Sequence, residues 1–128
     1  YLTEAEAKCH LGDSETEIQN LLVELNKERN PEYTCDKTGA DLLEEVQLCR
    51  RIELWGEGLS WYDIMRLKKD VDRRGGGYPD VTMVYHIPAG SDIMLWRIPE
   101  SEIQANPALE EGDNNPAVPR PEPVVDFE

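Results

Sequence analysis

Two glutamates, Glu53 and Glu57, stand four residues apart in a stretch of helical character. Residues at this spacing share one face of a helix, so the pair could supply a general acid and a general base. Asp63 is six residues from Glu57 and falls on a different face. The arginines along the same stretch are Arg50, Arg51 and Arg66. Ion pairs that hold helices together explain the glutamates better than catalysis does, and we predict no catalytic residue.

Nucleophilic and metal-binding side chains are few and scattered in this sequence. The three cysteines, Cys9, Cys35 and Cys49, form no C-x-x-C pair. Cys9 and His10 are neighbours, but adjacent helical positions point about 100° apart and chelate one ion poorly. The serines Ser60, Ser91 and Ser101 lack a nearby histidine or a nucleophile elbow, and His86 lies far from His10. We predict no metal site and no cofactor, and cysteines that act as small buried hydrophobic residues, with one incidental disulfide as the alternative.

Several aromatic residues could stack on the C–H face of a sugar ring. They are Trp55, Trp61, Tyr62, Tyr78, Tyr85 and Trp96. Trp55 and Tyr62 fall on an apolar helical line and are predicted to lie in the core. Trp96 points to one face of a predicted strand, and the pattern does not say which. Tyr78 lies in a glycine-rich loop and is predicted to be exposed, but no substrate-binding residue can be assigned from the pattern.

The charge of the chain limits its partners. The formal net charge is −14, and residues 99–128 hold eight acidic residues against one basic residue, Arg120. This segment would repel DNA or RNA, so we predict no nucleic-acid partner. The sequence has neither a basic membrane-binding face nor a run of 18 apolar residues, the length that a transmembrane helix needs.

The first 30 residues predict a helical hairpin, whose second helix should fray near Asn30 and Pro31. Residues 1–11 are rich in good helix formers, and Gly12 with Asp13 ends that helix. Ser14 and Glu17 form a capping box that begins a second helix. Its apolar face is Ile18, Leu21, Leu22 and Leu25. This pattern is typical of a tetratricopeptide-like unit, although any helical hairpin shares it, and one such unit cannot bury its face alone.

The segment from residue 41 to residue 69 predicts further helix. Asp41 and Glu44 form a second capping-box candidate. One apolar line consists of Leu42, Val46 and Cys49, and the other of Leu48, Ile52, Trp55, Leu59 and Tyr62. Two lines predict a wide buried face. Gly56 and Gly58 interrupt the pattern, which means either that the helix breaks there or that another element packs very close.

The remaining segments predict a β-hairpin, a short helical turn and a tail. The β-hairpin is predicted to have strands at residues 81–87 and 93–98, joined by a turn at 88–92. Residues 100–105 predict one helical turn, and the acidic, proline-rich segment 108–128 predicts an extended tail. The predicted fold is therefore mainly α: a tetratricopeptide-like helical hairpin plus further helices, with a small β-hairpin and an irregular C-terminal tail.

Three blocks of sequence, taken in order, resemble the SusD/RagB family. The first runs from Tyr1-Leu2-Thr3-Glu4-Ala5-Glu6-Ala7 through Leu11-Gly12-Asp13 to Arg29, and the second is Arg50-Arg51-Ile52-Glu53-Leu54-Trp55-Gly56-Glu57-Gly58 with Trp61-Tyr62-Asp63 after it. The third is Trp96-Arg97-Ile98-Pro99-Glu100-Ser101-Glu102-Ile103-Gln104-Ala105-Asn106-Pro107. Residues 1–107 resemble the C-terminal part of such a domain, and 108–128 is expected to be a separate tail. Ser60 departs from the family pattern, which commonly has arginine there.

The resemblance implies a function that the residue patterns alone do not give. It implies an outer-membrane, surface-exposed lipoprotein that binds an oligosaccharide or polysaccharide and delivers it to a SusC-like TonB-dependent transporter, without catalysis. Because Tyr1 begins at full helical propensity, we expect the chain to be a piece of a longer one, with its lipid anchor upstream and a mainly scaffolding role. A tetratricopeptide-type scaffold for protein–protein interaction is the alternative.

Overall fold

The computed structural model describes residues 1–127, and two compact units divide the chain at Ser60. The described helices are α1 (Leu2–Leu11), α2 (Glu15–Asn26), α3 (Gly39–Glu53), α4 (Ser60–Leu67) and α5 (Glu100–Ala105). A small antiparallel sheet pairs β1 (Val71–Asp72) with β2 (His86–Ile87). The prediction of a mainly α chain with a small amount of sheet is confirmed. Among the described residues, no helix combines the length and apolar character needed to cross a bilayer.

The turn between α1 and α2 forms where the sequence predicts it. Gly12 takes a φ of 73°, a left-handed conformation that glycine adopts without steric cost. The amide of Gly12 donates to the carbonyl of Cys9, and the amide of Asp13 donates to the carbonyl of Lys8. These two bonds close a Schellman motif that satisfies the last carbonyls of α1. The predicted helical hairpin is therefore present, although α2 ends at Asn26, ahead of the predicted end near Asn30.

The predicted side-chain caps of α2 and α3 are wrong. Ser14 stands at the N-cap of α2, but its side chain makes no capping hydrogen bond. The carboxylate of Glu17 binds the ammonium group of Lys8 instead, at 2.8 Å, and so joins α2 to α1 across the turn. Helix α3 begins at Gly39, ahead of Asp41, and its N-cap Thr38 also lacks a side-chain bond.

The core of the first unit is formed by α1, α2 and α3. Its buried side chains come at helical spacing from each helix: Leu2 and Ala5, then Ile18 and Leu22, then Leu42, Val46 and Cys49. Leu21 and Leu25 pack against this cluster from its edge. The apolar spacing of α2 and the first apolar line of α3 therefore predict the core correctly, because a period of 3.6 residues places these side chains on one face.

A polar cluster lies at the edge of this core. The hydroxyl of Tyr33 donates to the carboxylate of Glu45 at 2.8 Å and lies 3.6 Å from the sulfur of Cys49. The amide of Asn26 reaches the same sulfur at 3.5 Å. Burial raises the pKa of Cys49, so its thiol stays neutral. Cys9, Cys35 and Cys49 are all free thiols, with Cys49 buried and the other two packed half-buried against the core, as predicted for small hydrophobic residues.

The second apolar line of residues 48–62 is exposed, so the prediction of a wide buried face is wrong. Trp55 is 84% and Tyr62 68% exposed, and Leu48 and Ile52 also face solvent. Helix α3 ends at Glu53, and Gly56 and Gly58 take φ angles of 83° and 76°. A Cβ atom on either glycine would meet nothing within 4 Å. The glycines therefore break the helix, and the helical period is not carried from Ile52 to Tyr62.

The second unit contains the small sheet, and only one of its two strands is a predicted one: His86–Ile87 lies within the predicted strand 81–87, whereas its partner is Val71–Asp72 and not 93–98. Val71 pairs with Ile87 and Asp72 with His86. The segments predicted as strands begin with short 3₁₀ turns instead, at Val81–Met83 and Asp92–Met94. The carboxylate of Asp80 accepts a 2.8 Å hydrogen bond from the amide of Thr82, which bends the chain at that point. The predicted hairpin between 81–87 and 93–98 is therefore wrong, whereas the helical turn at 100–105 is confirmed as α5.

The C-terminal segment is extended, and it is held against other parts of the second unit. Pro123 forms an isolated bridge with Tyr85, and the amide of Val124 donates to the carbonyl of Val84 at 2.9 Å. The carboxylate of Asp126 accepts a hydrogen bond from the amide of Gly75. The guanidinium of Arg74 lies 4.7 Å from the centre of the Phe127 ring. Glu128, the last residue of the predicted tail, lies outside the described residues.

Candidate functional site

The second unit has an open pocket of about 370 Å³. We name it the tryptophan pocket, and its lining residues are Trp61, Ile93, Met94, Leu95 and Trp96. Met94 is 2% exposed and therefore belongs to the interior, whereas Trp96 is 79% exposed. The pocket thus combines an apolar base with a freely accessible indole ring. The pocket is a shallow depression that is widely open to solvent.

Two short elements supply the lining of the tryptophan pocket. Trp61 is the second residue of α4. The 3₁₀ turn Asp92–Met94 supplies Ile93 and Met94, and the amide of Leu95 closes it by donating to the carbonyl of Asp92 at 3.0 Å. Successive residues of a tight turn point in different directions, so Met94 faces the interior while Trp96, beyond the turn, faces solvent.

Two adjacent asparagines hold the backbone that carries Trp96. The side-chain amide of Asn115 donates to the carbonyl of Trp96 at 2.6 Å. The side chain of Asn114 pairs twice with Ile98: its oxygen accepts from the Ile98 amide at 2.8 Å, and its nitrogen donates to the Ile98 carbonyl at 3.0 Å. These bonds satisfy backbone groups that a neighbouring strand would otherwise satisfy. The segment bearing Trp96 is therefore fixed without being part of a sheet.

Arg97, the cation next to Trp96, is neutralised by its contacts. Its terminal nitrogen lies 2.6 Å from a carboxylate oxygen of Glu111, and its Nε donates to the carbonyl of Asn115 at 2.9 Å. A guanidinium engaged in this way has less capacity to bind an anionic ligand. Arg97 and Glu111 therefore add no net charge beside Trp96.

Tyr78, which the sequence predicts to be exposed, is half-buried instead. The guanidinium of Arg73 lies 3.8 Å from the centre of the Tyr78 ring and 4.9 Å from that of Tyr85. Arg73 also donates a 3.0 Å hydrogen bond to the hydroxyl of Tyr85. One face of Tyr78 is occupied by this cation–π contact and is closed to a ligand ring. The prediction fails because the sequence does not show that Arg73 folds over the loop.

Glu53 and Glu57, the two glutamates whose spacing suggests acid–base chemistry, do not share a helical face, because α3 ends at Glu53. Glu53 forms a two-pronged ion pair with Arg29, with both contacts at 2.7 Å. Glu57 lies after the helix and is exposed. The expectation that an arginine neutralises Glu53 is right in kind, but the partner is Arg29, which the pattern did not single out. Arg66 pairs with Asp63 at 2.7 Å within α4.

The histidines and acidic residues show no metal-binding arrangement in the described part of the chain. No group of three His, Cys, Asp or Glu side chains within residues 1–127 comes close enough to hold a metal ion. His86 instead lies 2.7 Å from the carboxylate of Asp70, which also accepts from the amide of Ala89. The contact with His86 lowers the pKa of Asp70.

Of the residues that line the tryptophan pocket, the sequence indicates Trp61 and Trp96 as aromatic candidates, but it does not show that they lie in one pocket. Asn114 and Asn115, which hold the segment that carries Trp96, fall in the part of the chain that the sequence predicts to be an irregular tail. The available signal was the pair of adjacent asparagines, because such side chains bond to backbone groups more readily than most. Nothing in the pattern showed that their partners would be Trp96 and Ile98.

Comparison with known proteins gives one match. The model described as the SusD family matches residues 1–117. No curated protein and no solved structure matches the chain at a significant level. The match includes all three blocks of residues 1–107 on which the resemblance to SusD/RagB proteins rests. The chain belongs to the SusD family.

Proposed function

We propose that this chain is part of a glycan-binding protein that captures an oligosaccharide or polysaccharide and delivers it to a SusC-like TonB-dependent transporter, without catalysis. The observation that carries the proposal is the family match over residues 1–117, because the SusD family has a glycan-binding role in nutrient uptake in general and is non-catalytic. The proposed location is the surface of the outer membrane, where such a protein would be held by a lipid anchor.

The first unit supports this proposal as a scaffold. Its three helices bury one continuous apolar cluster, and its polar side chains are engaged in contacts such as Tyr33 with Glu45 and Arg29 with Glu53. Such contacts hold helices in place. We therefore assign the tetratricopeptide-like hairpin a positioning role, and the second unit with its open pocket is the better candidate for ligand contact.

The test is to recover the protein from its own membrane and to measure both partners. A C-terminal affinity tag on the chromosomal gene allows purification in mild detergent, followed by identification of co-purifying proteins by mass spectrometry. We expect a TonB-dependent transporter in the eluate and retardation of the protein in native gels that contain one or more polysaccharides. Purification without a transporter, together with unaltered migration on every polysaccharide, would overturn the proposal.

A tetratricopeptide-type scaffold that binds a protein partner remains the second candidate function. It is favoured by exposed apolar side chains of the first unit: Leu48 and Ile52 on α3, and Trp55 just after the helix ends. Exposed apolar side chains at helical spacing are typical of surfaces that dock another helix. Recovery of a stoichiometric protein other than a transporter, with no glycan affinity, would favour this candidate over the first.

A further inference from the structure

We propose that the surface occupied by residues 123–127 is a peptide-binding site, and that these residues are its tethered ligand. We name this surface the docking groove, and it consists of Arg74, Gly75, Val84 and Tyr85. The ligand that fits it is an extended peptide in which an aspartate precedes an aromatic residue. The inference goes beyond glycan capture, and residues 123–127 lie outside the part of the chain that the family model matches.

The backbone of the tethered peptide pairs with the docking groove as an added strand does. The amide of Val124 donates to the carbonyl of Val84 at 2.9 Å, and Pro123 forms an antiparallel bridge with Tyr85. Tyr85 comes directly before β2. Peptides that bind by strand addition take their affinity from main-chain bonds of this kind and their specificity from every second side chain.

The side chains of the peptide alternate between the groove and solvent. Val124 and Asp126 are half-buried, whereas Val125 between them is 87% exposed. The carboxylate of Asp126 accepts a hydrogen bond from the backbone amide of Gly75. Because a bond to a charged acceptor is stronger than one between neutral groups, Asp126 is the main specificity contact of the peptide.

The aromatic ring of Phe127 closes over the glycine of the groove. The guanidinium of Arg74 lies 4.7 Å from the centre of this ring. A Cβ atom on Gly75 would lie 3.4 Å from the Cδ2 atom of Phe127, and Gly75 has a φ of 72°. A glycine at this position therefore gives the groove both its backbone conformation and its room for the ring.

The charges on the two sides favour an acidic peptide. The chain has a formal net charge of −14, yet residues 68–74 hold four basic residues against two acidic ones. Residues 118–128 hold three acidic residues against one basic residue. Opposite charges of this kind speed the encounter of a ligand with its site and exclude ligands of the wrong charge.

The chain that leads to the peptide is a tether without contacts of its own. In the described chain, residues 116–122 take part in no hydrogen bond or ion pair. A ligand on a short tether has an effective concentration of about a millimolar at its site. Weak docking is therefore enough to keep the groove filled, and cutting the tether should turn the docked segment into a separable peptide.

The test cuts the tether after the full chain has folded. A protease recognition sequence inserted between Ala117 and Val118 provides the cut, and circular dichroism checks that the cut chain keeps its structure. After gel filtration removes the released segment, a fluorescently labelled peptide of residues 118–128 is titrated by anisotropy. Two matched peptides carry Asp126→Ala, which removes the acceptor of the Gly75 amide, and Val125→Ala, which shortens an exposed side chain.

We expect the cut chain to bind one labelled peptide, and the uncut chain to bind it at least about tenfold more weakly because its groove is filled. Asp126→Ala should weaken the peptide by about tenfold or more, as the loss of a hydrogen bond to a charged group does. Val125→Ala should change the affinity less than about twofold. Absence of binding to a folded cut chain, or equal binding to the cut and uncut chains, would refute the site. A cut chain that unfolds would also refute it, because the segment would then be part of the fold. Equal weakening by the two substitutions would refute the role of Asp126.

Hydrogen exchange in the uncut chain tests the docking without any cut. The amide of Val124 donates to Val84, whereas that of Val125 has no partner among the described residues. After correction for intrinsic rates, Val124 should exchange about fivefold more slowly than Val125, the factor that one ordinary hydrogen bond gives. Asp126→Ala should remove most of this difference. Equal rates at the two amides in the unaltered chain would show that the segment is not docked.

Discussion

The side-chain amide of Asn115 donates a 2.6 Å hydrogen bond to the backbone carbonyl of Trp96, nineteen residues earlier in the chain. Together with the two bonds from Asn114 to Ile98, it satisfies backbone groups of residues 96–98 that would bond to a neighbouring strand in a sheet. Side chains, however, bind only one segment and offer no further edge for pairing. The backbone that carries the exposed indole is therefore fixed, and it offers no edge at which another strand could pair.

Replacing both asparagines should loosen the segment that carries Trp96. For Asn114→Ala with Asn115→Ala, we expect the free energy of unfolding to fall by about 1–3 kcal/mol, since each lost hydrogen bond contributes about 1 kcal/mol. The amide of Ile98 should exchange with deuterium faster, because its acceptor is the Asn114 side chain. Asn20→Ala on the exposed face of α2 is the control. Equal exchange at Ile98 in both variants would show that the asparagines do not hold the segment.

Truncating a core leucine should destabilise the first unit far more than truncating an exposed one. Leu22 is fully buried between helices, whereas Leu11, at the end of α1, is 77% exposed. We expect Leu22→Ala to lower the free energy of unfolding by about 2–5 kcal/mol, because it leaves a cavity. Leu11→Ala should change it by less than about 0.5 kcal/mol. Chemical denaturation monitored by circular dichroism measures both, and similar losses in the two variants would contradict the assignment of the core.

The first unit could be predicted from the sequence because its structure depends on local spacing. Apolar residues three and four apart, as in Ile18–Leu25 and Leu42–Cys49, define a face wherever a helix forms, and Gly12 marks its end. The same rule failed at Trp55 and Tyr62, because a helical period has meaning only while the helix continues. The sequence at Gly56 and Gly58 allows either a break in the helix or a close contact with another element. The structure shows that the helix breaks there.

The second unit could not be predicted in the same way, because its contacts join distant residues through polar side chains. Val71 pairs with Ile87, and Asn115 binds Trp96, across separations that carry no periodic signal. The segments 81–87 and 93–98 have the composition of strands, yet local bonds such as that from the Thr82 amide to Asp80 bend their first residues into turns, and only His86–Ile87 is a strand. Trp61 and Trp96 are aromatic candidates in the sequence, but the pattern does not show that they lie in one pocket.

Removing the ring of Phe127 should release the loop at Gly75. The guanidinium of Arg74 lies over this ring, and the neighbouring Asp126 accepts from the Gly75 amide. Loss of an exposed cation–π contact removes about 0.5–1 kcal/mol of local stability. We expect Phe127→Ala to speed hydrogen exchange at the Gly75 amide by about two- to fivefold, the factor that this energy corresponds to.

The matched control for this loop is Val125→Ala, since Val125 is 87% exposed and contributes no packing. Its exchange rates should equal those of the unaltered chain. Mass-spectrometric hydrogen exchange over the peptide that spans residues 73–78 is the measurement. If both variants leave the Gly75 amide unchanged, the C-terminal segment does not hold the loop.

The ion pair of Asp72 with Arg74 should give the small sheet an acid-dependent stability. The guanidinium of Arg74 donates to both carboxylate oxygens of Asp72, at 2.5–3.1 Å, and its backbone amide donates at 3.0 Å. The side-chain bonds from Arg74 are the largest cause that lowers the pKa of Asp72 from 3.8 to about 2. Because the folded state has the lower pKa, the contribution is present above about pH 4 and is lost as the pH falls towards 2.

Arg74→Gln removes this partner, whereas Arg120→Gln changes an exposed arginine of the C-terminal segment and serves as the control. An NMR titration of the Asp72 carboxyl carbon should give a pKa near 2 in the unaltered chain and in Arg120→Gln. In Arg74→Gln the pKa of Asp72 should rise towards 3.8, because the charged donors are gone. Amides of the sheet should then lose their acid-sensitive protection from exchange between pH 4 and pH 2. A pKa of Asp72 that stays near 2 in Arg74→Gln would mean that another group holds the carboxylate.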